Sequence, residues 1–478
     1  MPALLDLDID RQVDLPVFRQ IATRLREHIG RGVLPAGTRL PPSRELATQL
    51  AVARNCVIDA YDELIADGLL EGRGRHGTFV AANASAKRST KKHPNWAPSA
   101  LRRHTVHGYP VPVPDNTAFD WRPGLANARS LPLDAWRTAC REAGRRLPPQ
   151  GYGDPRGDHD LRQAIVKWLH EHRSARVELE QIVVTQGTGQ ALTLIAQALL
   201  RTGDRCATED PGYAGAAVAF LRAGASLRYV PVDGDGIRVD DIVEGQSAPV
   251  MVHITPTHQY PMGGRLSGPR RRALIELARQ HGTLILENEY DFEFNYAGTN
   301  QPPVFSSAPE STLLLSTFAK AVSPALRLGF IAAPPEAANV LAAFIERERS
   351  HVSWPAQKVV EQLMVSGELD RHLRRVRRHY AAIRETIRER LAVYHAVIEV
   401  TGDEGGLHVV VCGRTRALDR KLQAALRAQG VLFDCVRQFA TLDPDANGLL
   451  FAYGHMDTEM LVTSLDQLER CIKEVSRR

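Results

Sequence analysis

The period of the apolar pattern changes along the chain. Over the first 81 residues it is mostly helical. Phe18, Ile21, Leu25 and Ile29 recur at three- and four-residue spacing up to Gly30, and Asp14, with Pro16 in the first turn, predicts the helix start. Ser43 is expected to cap a second helix, Arg44 to Leu50, with Glu45 near its positive end. After a break at Ala51 to Ala53, Val57, Tyr61, Leu64 and Ile65 predict a third helix that stops at Gly68. Leu69-Leu70-Glu71 and Thr78-Phe79-Val80 then flank a Gly-Arg-Gly-Arg-His-Gly tip, the pattern of a two-stranded ribbon with a basic turn.

Between Ala81 and Asn116 the periodicity disappears. Residues 82–118 read as a basic, proline-containing linker, in which Lys87, Arg88, Lys91, Lys92, Arg102 and Arg103 either touch phosphates or keep the segment solvated. Residues 119–478 form a second, larger body. There, strand-like runs at Ile182 to Thr185, Val250 to Thr255, Thr283 to Glu287, Leu313 to Thr317 and Leu328 to Ala332 alternate with helical stretches, which predicts a mostly parallel α/β sheet. Ligands of such sheets gather beyond the carboxyl ends of the strands, so the loops after these runs are the places to look for chemistry.

The chain has 478 residues, 44% hydrophobic and 24% charged, enough for two or three domains with sizeable cores. A single small module and wholesale disorder are both excluded. Sixty Lys plus Arg stand against 55 Asp plus Glu, and a surplus of +5 is too small to establish a nucleic-acid partner by itself. The six cysteines are scattered without close pairs or histidine partners, so neither a disulfide framework nor a metal site is expected, and a reducing cytoplasm is. The acidic start, Met1 to Asp10, and the lack of any run near the roughly 20 apolar residues of a membrane span predict a soluble, untargeted protein.

Two helices, a tight turn, a third helix and a basic ribbon is the order of a winged helix-turn-helix. The string Pro35 to Ala47 (Pro-Ala-Gly-Thr-Arg-Leu-Pro-Pro-Ser-Arg-Glu-Leu-Ala) carries a resemblance to the GntR-type DNA-binding domain. Ala-Arg-Asn-Cys-Val and Leu-Glu-Gly-Arg-Gly-Arg-His-Gly-Thr-Phe-Val strengthen it. The resemblance implies a double-stranded DNA operator as partner. It places Arg54 and Asn55, at the start of the third helix, on bases or phosphates, Arg44 on the backbone, and Arg73 and Arg75 in the wing.

The body carries, in order, Tyr152-Gly153-Asp154-Pro155, Gln186-Gly187-Thr188-Gly189-Gln190, Glu209-Asp210-Pro211-Gly212-Tyr213 and His258-Gln259-Tyr260-Pro261-Met262-Gly263. Glu287-Asn288-Glu289-Tyr290 and Thr317-Phe318-Ala319-Lys320, with Arg327 beyond, complete the series. This series resembles the fold-type I aminotransferases, the α/β fold of pyridoxal 5′-phosphate (PLP)-dependent transferases. A GntR-type head joined by a long linker to such a body is similar to the MocR/GabR family of transcription regulators. The resemblance implies PLP as cofactor, with Lys320 forming its Schiff base. Arg327, Thr317, Thr188 and the backbone near Gly189 would hold the phosphate, Tyr213 would stack on the ring, and Tyr290 would bond the ring oxygen.

This chain departs from the family pattern at four places. Asn288 stands where an Asp pairs with the pyridine nitrogen, and an amide cannot hold that proton by charge; Glu289 takes over if the register slips by one. Ala319 replaces the serine before the lysine, and Gly189 stands where glutamine is common. Leu450 occupies the position of the arginine that clamps a substrate carboxylate. The expected function is a DNA-binding regulator whose body binds PLP, or a PLP adduct of an amino compound, as effector. The family further suggests a head-to-tail homodimer. A working aminotransferase with a DNA-binding head, and a body that has lost PLP and serves as a dimerisation scaffold, are the alternative readings.

Overall fold

The computed structural model describes residues 7–82 apart from 12 and 14, residue 84, and residues 119–125, 130–245, 247–296, 301–402 and 404–477. Asp14 and the six basic side chains expected in the linker lie outside the described residues. The chain divides into two compact units, Met1–Val111 and Pro112–Arg478.

In the first unit, α1 (Val17–Gly30), α2 (Ser43–Gln49) and α3 (Arg54–Ala66) are followed by the strands β1 (Leu70–Gly72) and β2 (Thr78–Val80). Ile21, Leu25 and Ile29 of α1, Leu46 of α2, and Val57, Ala60 and Leu64 of α3 close over one core. Two predicted helix starts are corrected. Pro16 precedes α1 as its N-cap instead of lying in its first turn, and Pro42 takes the N-cap of α2, so Ser43 is already helical. The Ser43 hydroxyl instead accepts from Arg54 Nε at 3.3 Å, tying the starts of α2 and α3 together. The turn between these helices passes through Ala51 in the left-handed region (φ 52°). The buried Tyr61 hydroxyl donates to the Pro41 carbonyl at 2.9 Å and fixes that approach. β1 and β2 pair antiparallel, Leu70 opposite Val80 and Gly72 opposite Thr78, around the basic tip.

The second unit begins with β3 (Phe119–Asp120), α4 (Leu133–Gly144), α5 (His159–Arg173), β4 (Ile182–Thr185) and α6 (Thr188–Leu199). It continues with β5 (Arg205–Asp210), α7 (Ala214–Arg222), β6 (Ser226–Asp233), β7 (Gly236–Ile237), β8 (Met251–Ile254) and α8 (Gly268–His281). Then come β9 (Leu284–Glu289), β10 (Thr312–Thr317), β11 (Gly329–Ala332), α9 (Pro335–Glu348), α10 (Trp354–Val365) and α11 (Glu368–Ala392). β12 (Ile398–Thr401), β13 (His408–Gly413), α12 (Arg416–Ala428), β14 (Val431–Leu432), β15 (Leu449–Ala452) and α13 (Thr458–Ser476) complete it.

Eight strands make one sheet in the order β4-β11-β10-β9-β8-β5-β6-β7. Neighbours from β10 to β6 run parallel; β11 is antiparallel to both β10 and β4, and β7 to β6. Both faces are covered, which is why the strands read as continuous apolar runs. Along β10, Leu313 and Leu315 pack with α6 and α9, while Leu314 faces the cluster that contains Phe318 and Phe330. A smaller antiparallel sheet, β12-β13-β15, carries the C-terminal part, and β14 pairs parallel with β3, so the start of this unit is stitched to its end. No described helix is long and apolar enough to cross a membrane.

Candidate cofactor-binding site and DNA-binding head

The carboxyl ends of β4, β9 and β10, with the loops after β5 and β8, open on one cavity of about 390 Å³. All eight body residues expected at the site line it: Thr188, Gly189, Tyr213, Asn288, Tyr290, Thr317, Lys320 and Arg327. Helix α6 starts at Thr188, directly after the glycine of the loop. Thr188 and Gly189 therefore sit in its first turn, where free backbone N–H groups and the helix dipole favour an anion. Gly187 is the N-cap with φ 83°, and a Cβ there would come within 3.9 Å of the Arg327 guanidinium; one at Gly189 would lie 4.0 Å from Arg327 Nη2. Arg327, itself left-handed (φ 49°), thus lies beside a helix start bare enough to receive a phosphate. Thr317 is in the wall too, but its hydroxyl donates to the Leu328 carbonyl and accepts from Ala319 N, both at 3.2 Å, so it braces the loop that holds the lysine.

Strand alternation settles the register along β9. Asn288 and Tyr290 face the cavity, whereas Glu287 and Glu289 point to the other side. Glu287 accepts from the backbone N–H groups of Val304 (2.6 Å) and Phe305 (2.9 Å). Glu289 accepts from Arg173 Nη2 at 2.9 Å and from the Thr257 hydroxyl at 2.6 Å. Glu289 therefore does not stand in for the missing aspartate; its carboxylate is held by a buried arginine. The Asn288 amide donates to His253 Nε2 at 3.3 Å, and His253 Nδ1 meets the Thr208 hydroxyl at 3.2 Å. Burial pushes the His253 pKa down to about 3, so the ring is neutral. Asn288 Oδ1 is buried with no hydrogen-bond partner, an acceptor waiting for a donor from the cavity.

Burial also lowers the Lys320 amine to about 8, against the pull of Asp291 in the opposite direction. Asp291 lines the cavity, with Oδ2 at 2.9 Å from His258 Nδ1, and the Tyr290 hydroxyl lies 2.9 Å from the same nitrogen. Desolvation, reinforced by Asp291, holds the Tyr290 phenol well above 10, so it remains a donor. Tyr260 meets Tyr213 edge-on at 5.8 Å. His408 Nε2 donates to the Pro261 carbonyl at 2.9 Å, and burial, with the neighbouring His258, lowers this ring to about 4. The loop that carries Tyr213 is anchored at its base: Asp210 accepts from the backbone N–H groups of Thr441 (2.6 Å) and Leu442 (3.0 Å), and Gly212 N donates to the Phe439 carbonyl at 3.0 Å.

Sequence reading did not assign Tyr260, Asp291, Leu407 or His408 to the site, although the motif from His258 to Gly263 was visible. Leu450 is fully buried against Val410 and Val436 and is absent from the cavity lining. Among the described residues, the carboxylates of Asp158, Asp160 and Glu361 cluster closely, but Lys358 Nζ sits among them, reaching all three at 2.8, 2.9 and 3.0 Å, and Arg146 pairs with Asp160 and Glu361.

In the first unit Arg44, Arg54, Asn55, Arg73 and Arg75 are all exposed, with Arg54 and Asn55 in the first turn of α3. Arg73 is partly engaged, paired with Glu71 and lying 4.8 Å over the Phe79 ring.

Residues 18–80 match the family described as bacterial regulatory proteins, gntR family, and residues 124–462 match aminotransferase class I and II. The chain is 32% identical over 472 residues, 97% of its length and 95% of the other, to a probable rhizopine catabolism regulatory protein MocR of Rhizobium meliloti. It is 30% identical over 446 residues, 92% and 93% of the two chains, to the HTH-type pyridoxine biosynthesis transcriptional regulator PdxR of Corynebacterium glutamicum. Among solved structures, a multiple substrate aminotransferase from Thermococcus profundus superposes with a TM-score of 0.69 at 24% identity, covering 76% of this chain and 93% of that one, a likeness of fold. A gntR-family head and an aminotransferase fold, matched along nearly the whole length of a MocR protein, show that the chain belongs to the MocR-type DNA-binding transcription regulators.

Proposed function

We propose that the aminotransferase-like body is a sensor that binds PLP, or PLP joined to an amino compound, and changes how the heads of a homodimer engage their operator. The observation that carries this is the meeting of a desolvated lysine, a guanidinium beside a bare helix start, and an orphaned buried amide oxygen in one cavity. Each fits a different part of PLP. Lys320 would hold it covalently, Arg327 with the first turn of α6 would take the phosphate, Tyr213 would cover a ring face, and Tyr290 would donate to the ring oxygen. Bound PLP supplies a carbon that captures amines and a ring that withdraws electrons.

The ring-nitrogen position favours sensing over turnover. Asn288 is neutral and its partner His253 is neutral, so this side of the cavity offers the ring N–H an acceptor, Asn288 Oδ1, but no negative charge, and would hold the pyridinium proton less firmly than a carboxylate does. Two heads joined through one body would bind DNA jointly only when the body's geometry permits, which gives a bound ligand its leverage.

The test has two parts. Purified protein given PLP is expected to acquire visible absorbance that borohydride fixes, and Lys320→Ala to lose it; an unchanged, reducible chromophore in Lys320→Ala sinks the assignment. Fluorescence anisotropy with DNA from upstream of the protein's own gene, at fixed salt, is expected to change in affinity or stoichiometry on adding PLP. Binding that ignores PLP overturns the sensor reading.

A further inference from the structure

We propose that the part of the cavity left over after PLP selects a small amine whose far end is an ammonium or a hydroxyl, and rejects one that carries a carboxylate. This rests on the PLP reading above. Among the described residues lining the cavity, the cations are Lys320 and Arg327; that reading commits Arg327 to the phosphate and keeps Lys320 at the reacting carbon, the ligand's near end, whether bonded or displaced.

The remaining formal charge is a carboxylate. Asp291 is buried in the wall, and its Oδ2 lies against His258 Nδ1 at 2.9 Å. Near it His408 donates its Nε2–H to the Pro261 carbonyl, and since the ring is neutral its Nδ1 can only accept. Leu125, Leu407 and Pro123 add apolar wall, and Leu450 is sealed in its own cluster. A ligand carboxylate entering this space loses water, finds no uncommitted cation among the described residues and faces Asp291 across a low dielectric. An ammonium finds Asp291 as its counter-charge, and a hydroxyl can donate to the same carboxylate. Leaving buried charges unmatched is how sites reject near-isosteres most strongly.

The experiment is calorimetric titration of the full-length, PLP-loaded protein at neutral pH with three probes on one three-carbon frame: 1,3-diaminopropane, 3-amino-1-propanol and β-alanine. The diamine and the amino alcohol are expected to bind at least about tenfold tighter than β-alanine, the sign of a clear preference in free energy. β-Alanine binding as tightly, or none of the three binding to visibly PLP-loaded protein, overturns this inference and leaves the PLP reading standing. Protein that takes up no PLP chromophore overturns both. Asp291→Asn is expected to bring the diamine to within about threefold of β-alanine, and undiminished selectivity in that variant overturns the role of Asp291. Should that variant not fold, the ranking in the unaltered protein decides.

Discussion

Lys320 shows what removal from water does to an amine. With a pKa of about 8 in place of the usual 10.5, roughly a tenth of it is neutral at pH 7, against a few parts in ten thousand for an exposed lysine. The rate of PLP capture, followed by absorbance, should therefore rise about tenfold per pH unit below 8 and level off above roughly pH 9. A rise that continues past pH 10 means that the amine is not desolvated. The same shift has a stability sign: the unfolded chain keeps this proton to higher pH than the folded one, so the Lys320 contribution to stability increases between about pH 8 and 10.5. Asn288 supplies the complementary case. Asn288→Asp puts a carboxylate against neutral His253 without a prepared partner, and the PLP-free protein should lose about 1–3 kcal/mol, read as a lower Tm that PLP restores. An unchanged Tm means that His253 takes up a proton at little cost. Asn288, Lys320 and Arg327 were legible through the resemblance to the fold-type I aminotransferases, on motifs that abut the apolar runs ending at Glu287 and Thr317 and starting at Leu328. His408 was not, because it opens β13, far along the chain, and only the folded topology brings it to the same cavity.

At the scale of elements, β9 is the strand on which the site turns. Arg173 from α5 and Glu289 from β9 form an ion pair that is almost wholly buried, with the guanidinium 4.3 Å over the Phe292 ring. Arg173→Met leaves Glu289 charged and alone, and the body should lose about 3–5 kcal/mol. Two-wavelength urea titrations should show this as an earlier body transition with the head transition unmoved. The wing makes its own prediction. Arg73 is drawn back to Glu71 and Phe79 while Arg75 is not held in that way, so Arg75→Ala should cost more DNA affinity, and reduce the salt slope by about one, where Arg73→Ala does less. Equal losses would show that DNA pulls Arg73 from its pairing. Strands β4 and β8 to β11 could be read from composition, since both faces of the sheet are buried. β5 was harder: it ends in Glu209 and Asp210, polar residues that the pattern assigns to a loop. They are buried because Thr255 and Gln259 satisfy Glu209, whose pKa still rises to about 7, and because Thr441 and Leu442 satisfy Asp210.

For the whole molecule, DNA contact falls to one unit and the proposed ligand chemistry to the other, so the proposed sensing requires that binding in the body alter how the heads engage DNA. Cleaving a protease site engineered between residues 90 and 110 should leave PLP absorbance intact and abolish any PLP effect on operator binding. Joint binding should also weaken by roughly a hundredfold or more as the effective concentration of the second head is lost. Full retention of the PLP effect after cleavage argues for a direct contact between the units. The two-part plan was legible because periodicity stops at Ala81 and resumes as strand and helix past Asn116, whereas the small C-terminal sheet was not, since β12 and β13 follow each other without a helix between them and β15 joins them only after α12 and β14.

The anchoring of the Tyr213 loop has a mechanical meaning. Asp210 and Gly212 fasten it to residues 439–442, a few positions before β15. Three hydrogen bonds cross the join, so a push on the face of Tyr213 would be handed directly to the segment that leads into β15, and the loop that would cover the cofactor doubles as the point where the C-terminal lobe is fastened.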